Sequence, residues 1–204
     1  MSGLSWIEPL RPRIVGAIDR QIETVAAQLR TVNRFGNDVA KRLSEYCARG
    51  KLIRGALVVA GASLDGEIRG DDPGAVEPPI DPPRPVVDLA AAVELVQAFL
   101  LIHDDIMDQD ALRRGKPAIH EQFRRAMVDE GGRDPAHYGS SQAISAGDVA
   151  MLLAVNVVAG VDLHETVRLR VIDLVTREIA MVGIAQMADV HFGHSPHEPT
   201  EREI

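Results

Sequence analysis

One stretch limits what this chain can fold into: an apolar run too long for a buried strand that ends in three carboxylates. It reads Glu94-Leu95-Val96-Gln97-Ala98-Phe99-Leu100-Leu101-Ile102-His103-Asp104-Asp105-Ile106-Met107-Asp108 and continues as Gln109-Asp110-Ala111-Leu112-Arg113-Arg114-Gly115. Length alone favours a helix. On a helix Asp104 and Asp108 share a face one turn apart, and Asp105 lies about 100° round from Asp104. Like charges at that spacing repel by about 0.2–0.5 kcal/mol, and the negative end of the helix dipole adds to the cost. A bound divalent cation reverses both signs. Mg²⁺ takes one or two carboxylates and completes its shell with water and phosphate oxygens. The planar forks of Arg113 and Arg114 suit phosphate. The plainer alternative is a solvated acidic helix end with a basic turn behind it. The apolar lead-in and the arginine pair weigh against it.

Composition narrows the class. Aromatics make up 3% of 204 residues, while hydrophobic residues reach 46%. Ala, Val, Leu and Ile thus supply the core, which favours helices over an aromatic-rich β-sandwich. A net charge of −8 argues against a nucleic-acid partner held by phosphate neutralisation. The basic clusters therefore stand out against the global sign. The single cysteine, Cys47, excludes an internal disulfide and suits a cytoplasmic setting. The N-terminus lacks a signal peptide's basic and apolar regions. The longest apolar run, Val149 to Val161, falls short of the roughly 18 residues of a membrane span.

Ile14, Ile18, Ile22, Val25 and Leu29 form one stripe of an amphipathic helix. Gly36-Asn37 is expected to break it, with a shorter helix over 38–48 and a third over 52–64. Residues 65–85, rich in proline and glycine, read as a surface loop inserted between helices. The central helix is expected over 85–107. Lys116-Pro117 is expected to open a further helix to Glu130. Ser140 or Ser141 can cap the next one, to Gly160, and Asp162 the last, to about Phe192. No strand alternation of convincing length appears. The expected fold is all-α, an antiparallel helical bundle, in one domain over 1–204.

Gly50-Lys51-Leu52-Ile53-Arg54 puts two bases three apart at a helix start, where free backbone N–H groups add to the pull on an anion. The glycine and hydroxyl residues of a Walker loop are missing. Gln97, seven residues before Asp104 on roughly the same face, is a polar amide that needs a partner. Asp148 in an apolar helix calls for a basic partner. An EF-hand reading from Asp108-Gln109-Asp110 fails, because position six of the loop is Arg113. His191, His194 and His197 are three apart, yet Gly193 and Pro196 argue against a shared helical face.

His103-Asp104-Asp105-Ile106-Met107-Asp108 with the trailing Arg113-Arg114-Gly115 resembles the first aspartate-rich motif of the trans-isoprenyl diphosphate synthases, or polyprenyl synthetases. The resemblance implies an isoprenoid-synthase bundle. It implies Mg²⁺-dependent head-to-tail condensation of an allylic diphosphate with isopentenyl diphosphate, and a homodimer. Asp104, Asp108 and Asp105 would hold Mg²⁺ and the allylic diphosphate, with Arg113 on its phosphate. Lys51, Arg54, Gln97 and Arg114 would bind isopentenyl diphosphate. Phe99 and Leu100, five and four residues before the first aspartate, would limit chain length, to about a geranylgeranyl product. His103 would brace the helix end rather than ligate metal. Gly147-Asp148 matches a structural Gly-Asp of the family, and Gln186 with Asp189 matches Gly-Gln-x-x-Asp, with Ala185 in place of the glycine.

Family members are longer and carry a Lys-Thr element and a second aspartate-rich motif. This chain shows neither, so the expectation is a fragment that lacks the C-terminal helices and is inactive alone. A non-catalytic or degenerate subunit partnering a full-length synthase is the alternative.

Overall fold

The computed structural model describes residues 5–64, 81–196 and 200. These residues form an all-α structure with one small hairpin. A 3₁₀ turn, Ser5–Ile7, leads into α1 (Arg11–Val32), α2 (Phe35–Ala48) and α3 (Ile53–Leu64). Then follow α4 (Arg84–Met107), strands β1 (Leu112–Arg113) and β2 (Lys116–Pro117), α5 (Ile119–Asp129), α6 (Pro135–Gly160) and α7 (Glu165–His194). Most of the loop expected over 65–85 lies outside the described residues.

The chain divides into two compact units, Met1–Asp162 and Leu163–Ile204. In the first, α4 is the centre, packed against α1, α3 and α6. Its buried positions (Val87, Ala90, Ala91, Leu95, Ala98 and Ile102) go round the helix because neighbours cover several sides. Alanines let those neighbours approach, and α6 answers with its own small residues Ala143, Ala146, Gly147, Ala150 and Ala154. Averaged over a window, α4 and α6 are each long and apolar enough to cross a membrane, which the count of uninterrupted apolar residues did not register. Most of the α4 window is buried inside this unit.

The α1 stripe buries Ile14, Ala17, Ile18, Ile22 and Ala26, whereas Val25 and Leu29 stay half-buried. Gly36-Asn37 does not break a helix. The break falls at Asn33, whose Oδ1 accepts the Phe35 N–H at 2.9 Å. Gly36 lies inside α2 at a close crossing, where a Cβ would come within 2.2 Å of the Leu29 carbonyl oxygen. Lys116-Pro117 is likewise strand, and α5 starts two residues later. Asp134 caps α6 by accepting the His137 N–H at 3.3 Å, and His164 Nδ1 accepts from Thr166 at the start of α7. Neither expected cap, at Ser140/Ser141 or Asp162, is used.

The second unit contains α7, a long helix with no buried residue among those described. Leu169, Met181, Ile184 and Met187 are exposed along it. Gly193 continues the helix, so His191 and His194 do share a face; His194 Nδ1 donates to the Val190 carbonyl at 2.9 Å. His197 lies outside the described residues.

Candidate functional site

The aspartates owe their position to the way α4 ends. No glycine or proline follows Met107, yet the helix stops at once. Gln109 takes a left-handed φ of 57°, its N–H bonds the Ile106 carbonyl, and the Asp110 N–H bonds that of Asp105. This is a Schellman turn with glutamine where glycine is usual. It leaves Asp104 partly exposed and Asp108 exposed one turn apart, while Asp105 is wholly buried.

The segment after the turn comes back as a hairpin. Leu112 pairs with Pro117 and Arg113 with Lys116, around a two-residue loop of Arg114 and Gly115. Both loop residues have positive φ, 54° and 73°, the backbone of a type I′ turn. An arginine in the left-handed region is a strained choice, of the kind kept where surroundings over-determine it. The hairpin sends adjacent guanidinium groups to different places. Arg113 goes to the acids: it forks onto Asp105 Oδ1 and reaches Asp104 Oδ2 at 3.3 Å and Asp110 Oδ2 at 3.8 Å. Arg114 lies over the α2–α3 loop, with Nη1 2.9 Å from where a Gly50 Cβ would sit. Glycine at position 50 is therefore what admits that guanidinium.

Asp105 has a second partner. Tyr46 of α2 donates its hydroxyl to Asp105 Oδ2 at 3.1 Å. Burial pushes the Asp105 carboxyl up, against the pull of Arg113 and Tyr46, and burial beside Asp105 also raises the Tyr46 phenol. With both oxygens engaged inside the protein, Asp105 does not stand beside Asp104 and Asp108 as a third ligand. Among the described residues no group of three His, Cys, Asp or Glu side chains is arranged to hold a metal ion. Two carboxylates one turn apart do fit Mg²⁺, which leaves most of its shell to water and phosphate.

Lys51 and Arg54 are exposed and form no ion pair among the described residues. The loop carrying Lys51 is tightly fixed. Arg11 of α1 donates to the Ala48 and Gly50 carbonyls, and buried Leu52 has a φ of 53°. One of the N–H groups expected to be free at the α3 start is already used: Glu94 Oε1 accepts from Gly55 at 2.7 Å. Burial pushes the Glu94 carboxyl up, against that bond and the nearby Arg54 and Arg114. Burial also pushes the Cys47 thiol up, to about 12, so it is not a nucleophile.

Gln97 lies half-buried one turn beyond Glu94, and its side-chain amide makes no hydrogen bond among the described residues. Phe99 and Leu100 are half-buried, and the Phe99 ring meets His103 edge-on with centroids 4.7 Å apart. His103 Nδ1 donates to the Phe99 carbonyl at 2.9 Å, and Nε2 faces Asp148 at 3.5 Å. Asp148 is exposed rather than buried, and Gly147 beside it gives the His103 ring its room. Gln186 and Asp189 lie three apart on α7 in the other unit. A cleft of about 720 Å³ opens elsewhere, between α1, α4 and α6 around Arg20, Arg84 and Asp88.

The sequence reading passed over Tyr46, Glu94 and Arg11. A carboxylate inside an apolar run was the available signal for Glu94. For the other two nothing local existed, since their partners are 59 and 39 residues away.

Solved structures resembling this chain show the isoprenoid-synthase bundle. Geranylgeranyl pyrophosphate synthase from Corynebacterium glutamicum, solved with isoprenyl diphosphate and magnesium, superposes with a TM-score of 0.72 at 25% identity, over 98% of this chain and 53% of that one. The Pyrococcus horikoshii geranylgeranyl pyrophosphate synthetase gives 0.66 at 26%, over 96% and 50%. The Polyprenyl synthetase family profile matches residues 37–203, and the chain belongs to that family. The geranylgeranyl diphosphate synthase of Mycobacterium tuberculosis is 30% identical over 92% of this chain and 45% of its own length. A short chain isoprenyl diphosphate synthase of Methanothermobacter thermautotrophicus is 40% identical over 53% and 25%. The chain thus spans less than half the length of these two relatives.

Proposed function

We propose that this chain carries the substrate-gripping part of a prenyltransferase that joins an allylic diphosphate to isopentenyl diphosphate, making a longer polyprenyl diphosphate of about geranylgeranyl length. One observation carries the reading. A two-residue turn sends Arg113 to Asp104 and Asp105 and sets Arg114 over Gly50, next to Lys51, so an acidic and a basic grip meet at one hairpin. Family membership supports it.

Asp104 and Asp108 would hold Mg²⁺, and Asp105 instead anchors Arg113. When bound, Mg²⁺ neutralises the departing diphosphate and orders its oxygens. Arg113 adds donors to the allylic diphosphate; Lys51, Arg54, Arg114 and Gln97 take isopentenyl diphosphate. The allylic C–O bond breaks with its electron pair leaving on diphosphate. The alkene of the second substrate attacks the allylic cation, and the proton then lost passes to the diphosphate. Fixed positive groups aimed at the leaving oxygens do the catalytic work, while the apolar bundle keeps water from the cation. Phe99 and Leu100 form the floor under the growing chain. A homodimer is the assembly this reading implies.

Calorimetry with inorganic pyrophosphate and Mg²⁺ tests the grips without requiring turnover. Loss of Mg²⁺-dependent binding on Asp104→Ala with Asp108→Ala, and of pyrophosphate binding on Lys51→Ala with Arg54→Ala, is expected. Unchanged isotherms would overturn the assignment. In the whole protein, Phe99→Ala should lengthen the product, and an unaltered product spectrum removes Phe99 as the floor.

A further inference from the structure

The basic grip stands on a buried carboxylate that no motif assigns. Glu94 is 7% exposed in the middle of α4. Arg54 and Arg114 are its charged neighbours, yet neither closes an ion pair with it among the described residues. The carboxylate is spent on backbone instead, accepting the Gly55 N–H in the first turn of α3 at 2.7 Å. This is one of the donors that a helix start would otherwise offer an anion.

The joint is close as well as bonded. A Cβ at Gly55 would come within 3.1 Å of the Ala90 carbonyl oxygen and of Glu94 Cγ, and within 3.3 Å of Ile14 Cδ1. Glycine at 55 therefore lets α3 meet α4, and Glu94 fixes the meeting one residue after Arg54. The loop before it is held by Arg11 and by the left-handed backbone of Leu52. With both ends pinned, Lys51 and Arg54 have little freedom in where their stems begin.

We infer that Glu94 is a positioning residue: by bonding the Gly55 N–H it sets the first turn of α3, and so aims Lys51 and Arg54 at a diphosphate group. The inference rests on the reading that these two bases take a diphosphate. It also takes the Gly55 N–H out of that site, so that more of the grip falls to the side chains.

Charge and geometry make opposite forecasts for two conservative variants. Glu94→Gln removes the charge and keeps an oxygen able to accept from Gly55. Glu94→Asp keeps the charge and withdraws the oxygen by one methylene. Titration of the chain with inorganic pyrophosphate, with melting followed by circular dichroism, reads both. Expected is Glu94→Gln binding at least as tightly as the native chain, and Glu94→Asp binding about tenfold more weakly, the equivalent of one hydrogen bond. Glu94→Asp binding as tightly as Glu94→Gln would overturn the inference, because the reach of the carboxylate would then not matter. Hydrogen exchange at the Gly55 amide gives a second reading: faster exchange in Glu94→Asp alone supports the joint, and equal rates in both variants overturn it. Failure of the underlying reading looks different. In that case Lys51→Ala with Arg54→Ala leaves pyrophosphate binding unchanged, whatever position 94 holds.

Discussion

Two of the three buried carboxylates of α4, Glu94 and Asp105, lie eleven residues apart, and the chain treats them differently. Asp105, at the acidic end, has a guanidinium and a phenol on its two oxygens. Glu94, under the basic loop, is met by backbone N–H of the α3 start and by no ion pair among the described residues, although two arginines are close in charge. At the first site the protein uses its own cation, and Asp104 shares it. At the second it leaves Lys51, Arg54 and Arg114 exposed. The acidic end is thus balanced internally at Asp105, with Asp104 and Asp108 turned outward. The basic end holds its donors unspent, which is what an anion site requires. Buried charge is costly unless paired, so the two solutions should fail differently when broken.

Arg113→Ala should have the largest effect. It strands Asp105 in the interior with one partner, and breaking a buried pair from one side costs about 3–5 kcal/mol. A fall in unfolding free energy of that size, from urea titration, is expected; a loss below that of an ordinary surface arginine would mean Asp105 is not held by Arg113. Tyr46→Phe removes one hydrogen bond to a charged group and should cost about 2 kcal/mol by the same measurement. The two substitutions share Asp105, so their costs should not add. Simple additivity would separate the phenol from the ion pair.

Gly147→Ala tests the neighbouring brace. A Cβ there would come within 2.3 Å of His103 Cε1, so the ring must leave its place on the Phe99 carbonyl. Overpacking of this kind costs about 1–3 kcal/mol. Thermal melting should show it, and no change would mean that α6 stands further from α4 than described.

The contrast also explains what the sequence could tell. The α4 helix and its acidic end were legible because period and charge are local properties, and the resemblance marked Lys51, Arg54 and the arginine pair. Helix limits were misread where a residue serves a distant neighbour. Gly36 looked like a breaker and is a crossing point, and Lys116 belongs to a hairpin set by the left-handed Arg114. Asp105 looked equivalent to its neighbours because spacing gives its angle but not what lies there. Tyr46 lies on a different helix, and only the folded chain brings its hydroxyl to that carboxylate. What local pattern cannot carry is partnership across the bundle.

The smallest effect is in pH, where a third carboxylate completes the comparison. Glu121 on α5 is forked by Arg124 and bonded by Arg125, and these hold its carboxyl down at about 2. Between that value and the ordinary 4.5 the unfolded chain binds more protons than the folded one. Glu121 therefore adds stability that is complete above 4.5 and fades as pH falls toward 2. Glu94 has the opposite sign. Its folded value is raised by burial, so above the ordinary value the folded chain binds more protons and stability declines as pH rises. Stability should thus shift between pH 3 and 7 in opposite directions for the two Gln variants. Relative to the native chain, Glu94→Gln should gain as pH rises, and Glu121→Gln should lose as pH rises toward 4.5 and then level. Urea midpoints across that range measure it. Parallel slopes would mean that Glu94 is as well compensated as Glu121, and the open character assigned to the basic end would go with it.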